Sequence, residues 1–131
     1  MLKLNPHKHN IQGKEIILID DSIVRGTTSK KIVDLLKKSG AKAVHMVIAS
    51  PIVKHPCYTG IDIETYEELI GATRNAEEIG KIIGADSLHF MEVEDLIASC
   101  SSGEYNTFCA ACFDGKYPDD IENKLRERKE I

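Results

Sequence analysis

Glu15-Ile16-Ile17-Leu18-Ile19-Asp20-Asp21-Ser22-Ile23-Val24-Arg25-Gly26-Thr27-Thr28 is the stretch that decides how this chain folds. Ile16 to Ile19 are an unbroken aliphatic run rather than an alternating one, the pattern of a strand covered on both faces, as in a parallel sheet. The strand is expected to stop at the two aspartates. From Thr28 to Ser39 the apolar Ile32, Val33, Leu35 and Leu36 fall on one side of a helix, with Lys30, Lys31, Asp34, Lys37 and Lys38 on the other. Gly40 is placed to end that helix, because glycine readily takes the left-handed conformation of a helix C-terminus. Residues 43–49 then read as a second buried strand, so strand, helix and strand occupy the length of a βαβ unit and the fold class is α/β.

Working outward, Pro51, Pro56 and Gly60 punctuate a loop. Short helices are expected over Thr65 to Ile70 and Asn75 to Ile83, the second ended by Gly84, followed by a short strand over Ser87 to Met91 and a helix over Val93 to Ala98. Ser99 to Gly115 is rich in small, polar and cysteine residues. Asp119 to Arg128 reads as a charged helix whose acidic start and basic end complement its dipole.

The 131 residues fit one domain, and 42% hydrophobic content suffices for a core. A net charge of -4 without a concentrated basic face argues against nucleic acid as a partner. No apolar run reaches the length of a membrane span and no secretory signal opens the chain, so neither a membrane nor export is indicated and a cytoplasmic protein is expected. Four cysteines in that setting are thiols or metal ligands rather than disulfides.

The chemistry lies where the first strand delivers Asp20 and Asp21 into a loop that opens a helix. Ligands of open α/β sheets sit outside the carboxyl ends of the strands, where a helix N-terminus offers unpaired N–H groups to a phosphate. Gly26 allows close backbone approach, Ser22, Thr27 and Thr28 offer hydroxyls, and either threonine is a candidate helix cap. Paired carboxylates do not suit a phosphate, yet they suit a diol or a divalent cation beside it. A bare Asp-Asp pair is ordinarily a turn cap. A phosphorylated ribose would offer both a diol to the carboxylates and a phosphate to the loop, and the aliphatic strand before the pair and Gly26-Thr27-Thr28 after it give the context in which the resemblance below favours that reading. Arg25 and Lys54 are candidate phosphate contacts, whereas His55 and His89 have no partner pattern and read as structural.

This stretch resembles the phosphoribosyl pyrophosphate (PRPP) motif of type I phosphoribosyltransferases. Together with Ser50-Pro51, the Lys54 to Asp62 block (Lys-His-Pro-Cys-Tyr-Thr-Gly-Ile-Asp), Glu67-Glu68-Leu69-Ile70, Gly84-Ala85-Asp86-Ser87-Leu88 and Phe108-Cys109-Ala110-Ala111-Cys112-Phe113, it resembles the C-terminal section of the amidophosphoribosyltransferase family, from about Leu2 to Pro118. The resemblance implies a partial type I phosphoribosyltransferase fold over residues 1–91 and a helical, cysteine-containing extension over 92–131. It implies a glycosyl transfer in which ammonia from glutamine replaces the pyrophosphate of PRPP to give 5-phosphoribosylamine, the first committed step of purine biosynthesis. Asp20 and Asp21 would face the ribose hydroxyls and Mg2+, and Ser22, Ile23, Val24, Arg25, Gly26, Thr27 and Thr28 would bind the 5-phosphate. Purine nucleotides are implied as inhibitors, and a homo-oligomer as the assembled form. The family's glutaminase half, first transferase strands, pyrophosphate loop and flap precede the Asp-Asp motif, so this chain alone is expected to be inactive, either completed by that half or serving as a non-catalytic PRPP or nucleotide-binding module.

Cys109 and Cys112 form a C-x-x-C pair, suited to a metal and also found in redox sites. The resemblance to the family's iron–sulfur branch implies that Cys57, Cys109 and Cys112 are three ligands of a [4Fe–4S] cluster whose fourth ligand lies upstream, with zinc or free thiols as alternatives. Cys100 matches no ligand position and reads as a small apolar side chain.

Overall fold

The structure, a computed structural model, describes residues 7–58, 60, 63, 65–101, 108–118 and 121. The elements run α1 (Lys8–Ile11), β1 (Glu15–Asp20), α2 (Thr27–Lys38), β2 (Ala43–Ile48), a 3-10 turn (Tyr66–Glu68), α3 (Ala76–Ile83), β3 (Ser87–Phe90), α4 (Val93–Cys100) and α5 (Ala111–Asp114). The three strands form one parallel sheet in the order β1-β2-β3, with Ile16 opposite Val44, Leu18 opposite Met46 and Ile48 opposite Phe90. The expected βαβ unit is present, with boundaries within a residue or two. The expected closing helix over 119–128 lies outside the described residues.

Side chains alternate across a strand, so one face of the sheet carries Val44, Met46, Ile48 and Leu88. These pack with Val33 of α2 and Ile79 and Ile83 of α3 into the main core, most of them with almost no exposed surface. The opposite face differs from the sequence expectation. Ile17 and Ile19 are 69% and 73% exposed and Val47 is 40% exposed, so among the described residues β1 is covered on one face only. An aliphatic run records that a strand can be buried twice; it does not say which chain covers it.

A second, smaller core joins Val53, Ile63 and Leu69 to Val24, Cys112 and Phe113, tying the loop after β2 to the cysteine-containing segment. Both the Lys54 and His55 N–H groups donate to the Cys112 carbonyl, at 2.9 and 3.0 Å, and the Tyr117 hydroxyl donates to the Pro56 carbonyl at 2.7 Å. The segment therefore docks through backbone groups as much as side chains.

Helix α3 shows why its ends were readable. Asn75 accepts from the Glu78 N–H at 3.0 Å, the Glu78 carboxylate accepts from the Asn75 N–H at 2.9 Å, and Gly84 closes the helix at φ +80°. Such a capping box satisfies two N–H groups that would otherwise lack partners. Asn75→Ala is expected to cost about 1 kcal/mol, read as a lower urea midpoint at unchanged slope.

Candidate functional site

β1 ends at Asp20, whose carbonyl still accepts from the Ala49 N–H at 2.9 Å, and the chain then leaves the sheet. The carboxylate of Asp20 accepts from the Asp21 N–H at 3.1 Å, and that of Asp21 accepts from the Ser22 hydroxyl at 3.2 Å. Both interactions are local and leave each carboxylate further acceptor capacity. Ile23 plunges into the main core with 2% of its surface exposed, and this buried anchor bends the loop back toward the helix. Only the backbone of Ile23 is thus available to a ligand.

Gly26, rather than Thr27 or Thr28, occupies the cap position of α2, and no side chain caps the helix. Its φ of +74° is unfavourable for any residue with a Cβ, and a Cβ there would lie 2.8 Å from Cδ1 of Ile70. Unlike α3, α2 therefore opens with N–H groups that no side chain satisfies, and the exposed Thr27 and Thr28 hydroxyls stand beside them. Such an end attracts an anion through both its donors and its dipole.

Every residue from Asp20 through Ser29, together with Ile63, lines a cavity of about 520 Å³. The candidate residues Asp20, Asp21, Ser22, Ile23, Val24, Arg25, Gly26, Thr27 and Thr28 are thus brought to one hollow, carboxylates at the strand end and helix N-terminus at the other. That volume accommodates a phosphorylated sugar. The backbone of the far wall is fixed by the Ile70 N–H donating to the Val24 carbonyl at 2.9 Å.

Three contributors were not visible in the local pattern: Ser29, buried at the first turn of α2; Ile63, across the cavity; and Glu68, whose carboxylate is paired with the Arg25 guanidinium. The Glu67-Glu68-Leu69-Ile70 block carried the only signal for the last, as an acidic pair beside two aliphatics. Lys54 is exposed and lies outside this lining. His55 meets the Tyr66 hydroxyl at 3.2 Å with the rings edge to face, and His89 lies exposed on the bare sheet face.

The cysteines fall elsewhere. Cys57 pairs through its backbone with Ile63, Cys112 sits half-buried in the smaller core, and Cys109 and Cys100 are exposed. Burial first, and then the neighbouring Cys57 thiol, push the Cys112 thiol above its usual range, which disfavours a thiolate. Among the described residues, no three His, Cys, Asp or Glu side chains are arranged to hold a metal ion. The Cys109 thiol acts on Cys112 in the same sense as Cys57, so the three implied ligands lie in one neighbourhood without forming a complete shell among the described residues. The two carboxylates at β1 suit Mg2+ better, because Mg2+ commonly takes one or two carboxylates and completes its octahedron with water and substrate oxygens.

No protein-family model matches the chain. The chain is 45% identical over 126 residues to an amidophosphoribosyltransferase of Methanothermobacter thermautotrophicus, covering 96% of this chain and 26% of that protein. It is 48% identical over 128 residues to that of Synechococcus elongatus, covering 98% and 26%. Among solved structures it is similar to the glutamine PRPP amidotransferase of Bacillus subtilis complexed with ADP and GMP, with a TM-score of 0.77 and 46% identity, covering 86% of this chain and 25% of that one. The chain spans about a quarter of the length of the curated relatives it matches. With that identity sustained over nearly its whole length and the same fold in a solved relative, this chain belongs, as a segment, to the amidophosphoribosyltransferase family.

Proposed function

We infer that the chain supplies the ribose 5-phosphate half of a PRPP site in an enzyme that converts PRPP, glutamine and water to 5-phosphoribosylamine, glutamate and pyrophosphate, the first committed step of purine biosynthesis. One observation carries this reading: a single cavity is walled by the whole run from Asp20 to Ser29, with two carboxylates at the strand end and an uncapped helix N-terminus opposite. The 5-phosphate is received by the N–H groups and hydroxyls between Ser22 and Thr28. The ribose hydroxyls donate to Asp20 and Asp21, which hold the sugar so that C1 faces away from the phosphate. Asp20 and Asp21 are also the residues that would hold Mg2+, which would supply charge neutralisation for the departing pyrophosphate. In the transfer the C1–O bond to pyrophosphate breaks, the pyrophosphate keeps the electron pair, and ammonia released from glutamine forms the new C1–N bond and gives up a proton. The chain's contribution is orientation and electrostatics rather than covalent chemistry.

The pyrophosphate loop, the glutaminase half that releases ammonia and the covering of Ile17, Ile19 and Val47 belong, in this reading, to the remaining three quarters of such an enzyme, assembled as a homo-oligomer in the cytoplasm. Residues 92–131 form the C-terminal extension of the transferase domain, and purine nucleotides act as inhibitors. Cys57, Cys109 and Cys112 would hold an iron–sulfur cluster only together with a fourth ligand from the remainder of the enzyme, and no step of the transfer is routed through it. Titrating the chain with PRPP in magnesium tests the reading: saturable binding without phosphoribosylamine formation is expected, and no binding up to millimolar ligand overturns it. A second reading, a PRPP-binding module that completes no enzyme, leaves Ile17, Ile19 and Val47 uncovered and is the weaker for it. Association of the chain with a relative's remaining three quarters, restoring phosphoribosylamine formation, argues against it.

A further inference from the structure

The cation of the phosphate loop already has a partner. Between Asp20 and Ser29 the chain carries one basic residue, Arg25, against the two carboxylates Asp20 and Asp21. The Arg25 guanidinium donates to the carboxylate of Glu68, 43 residues further on in the 3-10 turn. Packing of the backbone sets this meeting. The Ile70 N–H bonds the Val24 carbonyl at 2.9 Å, and the Ile70 side chain reaches the space beside Gly26, so Glu68 is carried to the loop by its own segment. Arg25 also stands on the wall between two hollows: the loop cavity and a second of about 490 Å³, which Glu67, Glu68 and Arg74 line as well.

We propose that Glu68 regulates the loop's affinity for anions as an internal competitor, a carboxylate that occupies Arg25 until a phosphate monoester displaces it. This rests on the reading of the loop as a 5-phosphate site. Carboxylate and phosphate oxygens use the same planar fork of guanidinium donors, so each atom Arg25 commits to Glu68 is withheld from the ligand. While the pair is closed, the loop shows an arriving phosphate two carboxylates with no free counter-charge. The side chains of Arg25 and Glu68 keep 59% and 34% of their surface exposed, and an ion pair so exposed is weak. Displacement is therefore within reach of a small ligand and costs it no more than about five-fold in affinity.

A double-mutant cycle with ribose 5-phosphate as the probe tests this on the full chain. Glu68→Gln is expected to tighten binding by about three- to five-fold, Arg25→Gln to weaken it, and Glu68→Gln to have no effect once Arg25 is replaced. Glu67→Gln removes the same charge from the neighbouring position and is expected to change affinity by less than about two-fold. Arg25 is exposed, Glu68 is part-exposed and neither belongs to a core, so these substitutions leave the cores intact. Unchanged or weaker binding by Glu68→Gln overturns the proposal, as does equal tightening in the Arg25→Gln background, which would mark a general charge effect. If the unmodified chain and every variant fail to bind ribose 5-phosphate, the phosphate-site reading falls and this inference falls with it.

Discussion

Gly71→Ala is expected to lower the stability of the chain by about 3 kcal/mol, seen as a fall in urea midpoint without a change in slope. Gly71 is buried with its backbone pressed against the segment after β2: a Cβ there would lie 2.3 Å from Cγ2 of Ile52 and 2.6 Å from the Val53 carbonyl oxygen. A flexible side-chain tip can turn aside, but a carbonyl oxygen moves only with its peptide. Relief would push residues 70–71 away from residues 52–53. The same displacement pulls the Ile70 N–H from the Val24 carbonyl and Ile70 from Gly26, so the loop loses its far wall. Binding of ribose 5-phosphate should therefore weaken along with stability. A variant within about 0.5 kcal/mol of the parent would mean that this contact is not tight in the folded protein.

Asp20→Asn with Asp21→Asn separates binding from folding. The two carboxylates are the loop's acceptors, and hydrogen bonds to charged groups contribute about 1.5–3 kcal/mol each, so the pair of substitutions should weaken magnesium-dependent PRPP binding by about a hundred-fold or more. Stability should change by less than about 0.5 kcal/mol, because neither side chain is buried and asparagine can still accept from the Asp21 N–H and the Ser22 hydroxyl. Titration calorimetry and urea denaturation of the same preparations measure the two effects side by side. Retention of PRPP affinity would remove the carboxylates from the site.

Much of the fold was legible because its signals are local. The aliphatic run into Asp20, the amphipathic stretch ended near Gly40, and Asn75 with Glu78 and Gly84 each specify an element from within a few residues, and each element is present. What was not legible depends on partners distant in sequence. Residues 65–70 were read as a helix, but Leu69 and Ile70 are drawn into two different cores and only a single 3-10 turn, Tyr66–Glu68, remains. The one-turn helix Ala111–Asp114 is too short to show a period, and it is held by backbone bonds from Lys54 and His55. Thr27 and Thr28 looked like caps by residue type, whereas the left-handed turn at Gly26 takes that position and leaves both hydroxyls to the cavity. The candidate site was readable as a contiguous run, since one loop makes it. Its opposing wall, Ile63, and the Glu68 that engages Arg25 from the neighbouring hollow come from a segment whose approach is set by tertiary packing alone.

Amide hydrogen exchange of the chain with and without PRPP and magnesium tests the central claim most directly. If the Asp20–Ser29 loop is the ribose 5-phosphate site, the ligand should slow exchange at the amides of residues 21–29 and, more weakly, at 63 and 65–70, while the strand amides of β2 and β3 stay unchanged. No slowing in the loop at saturating ligand, or protection appearing instead around the cysteine-containing segment 108–118, would contradict it.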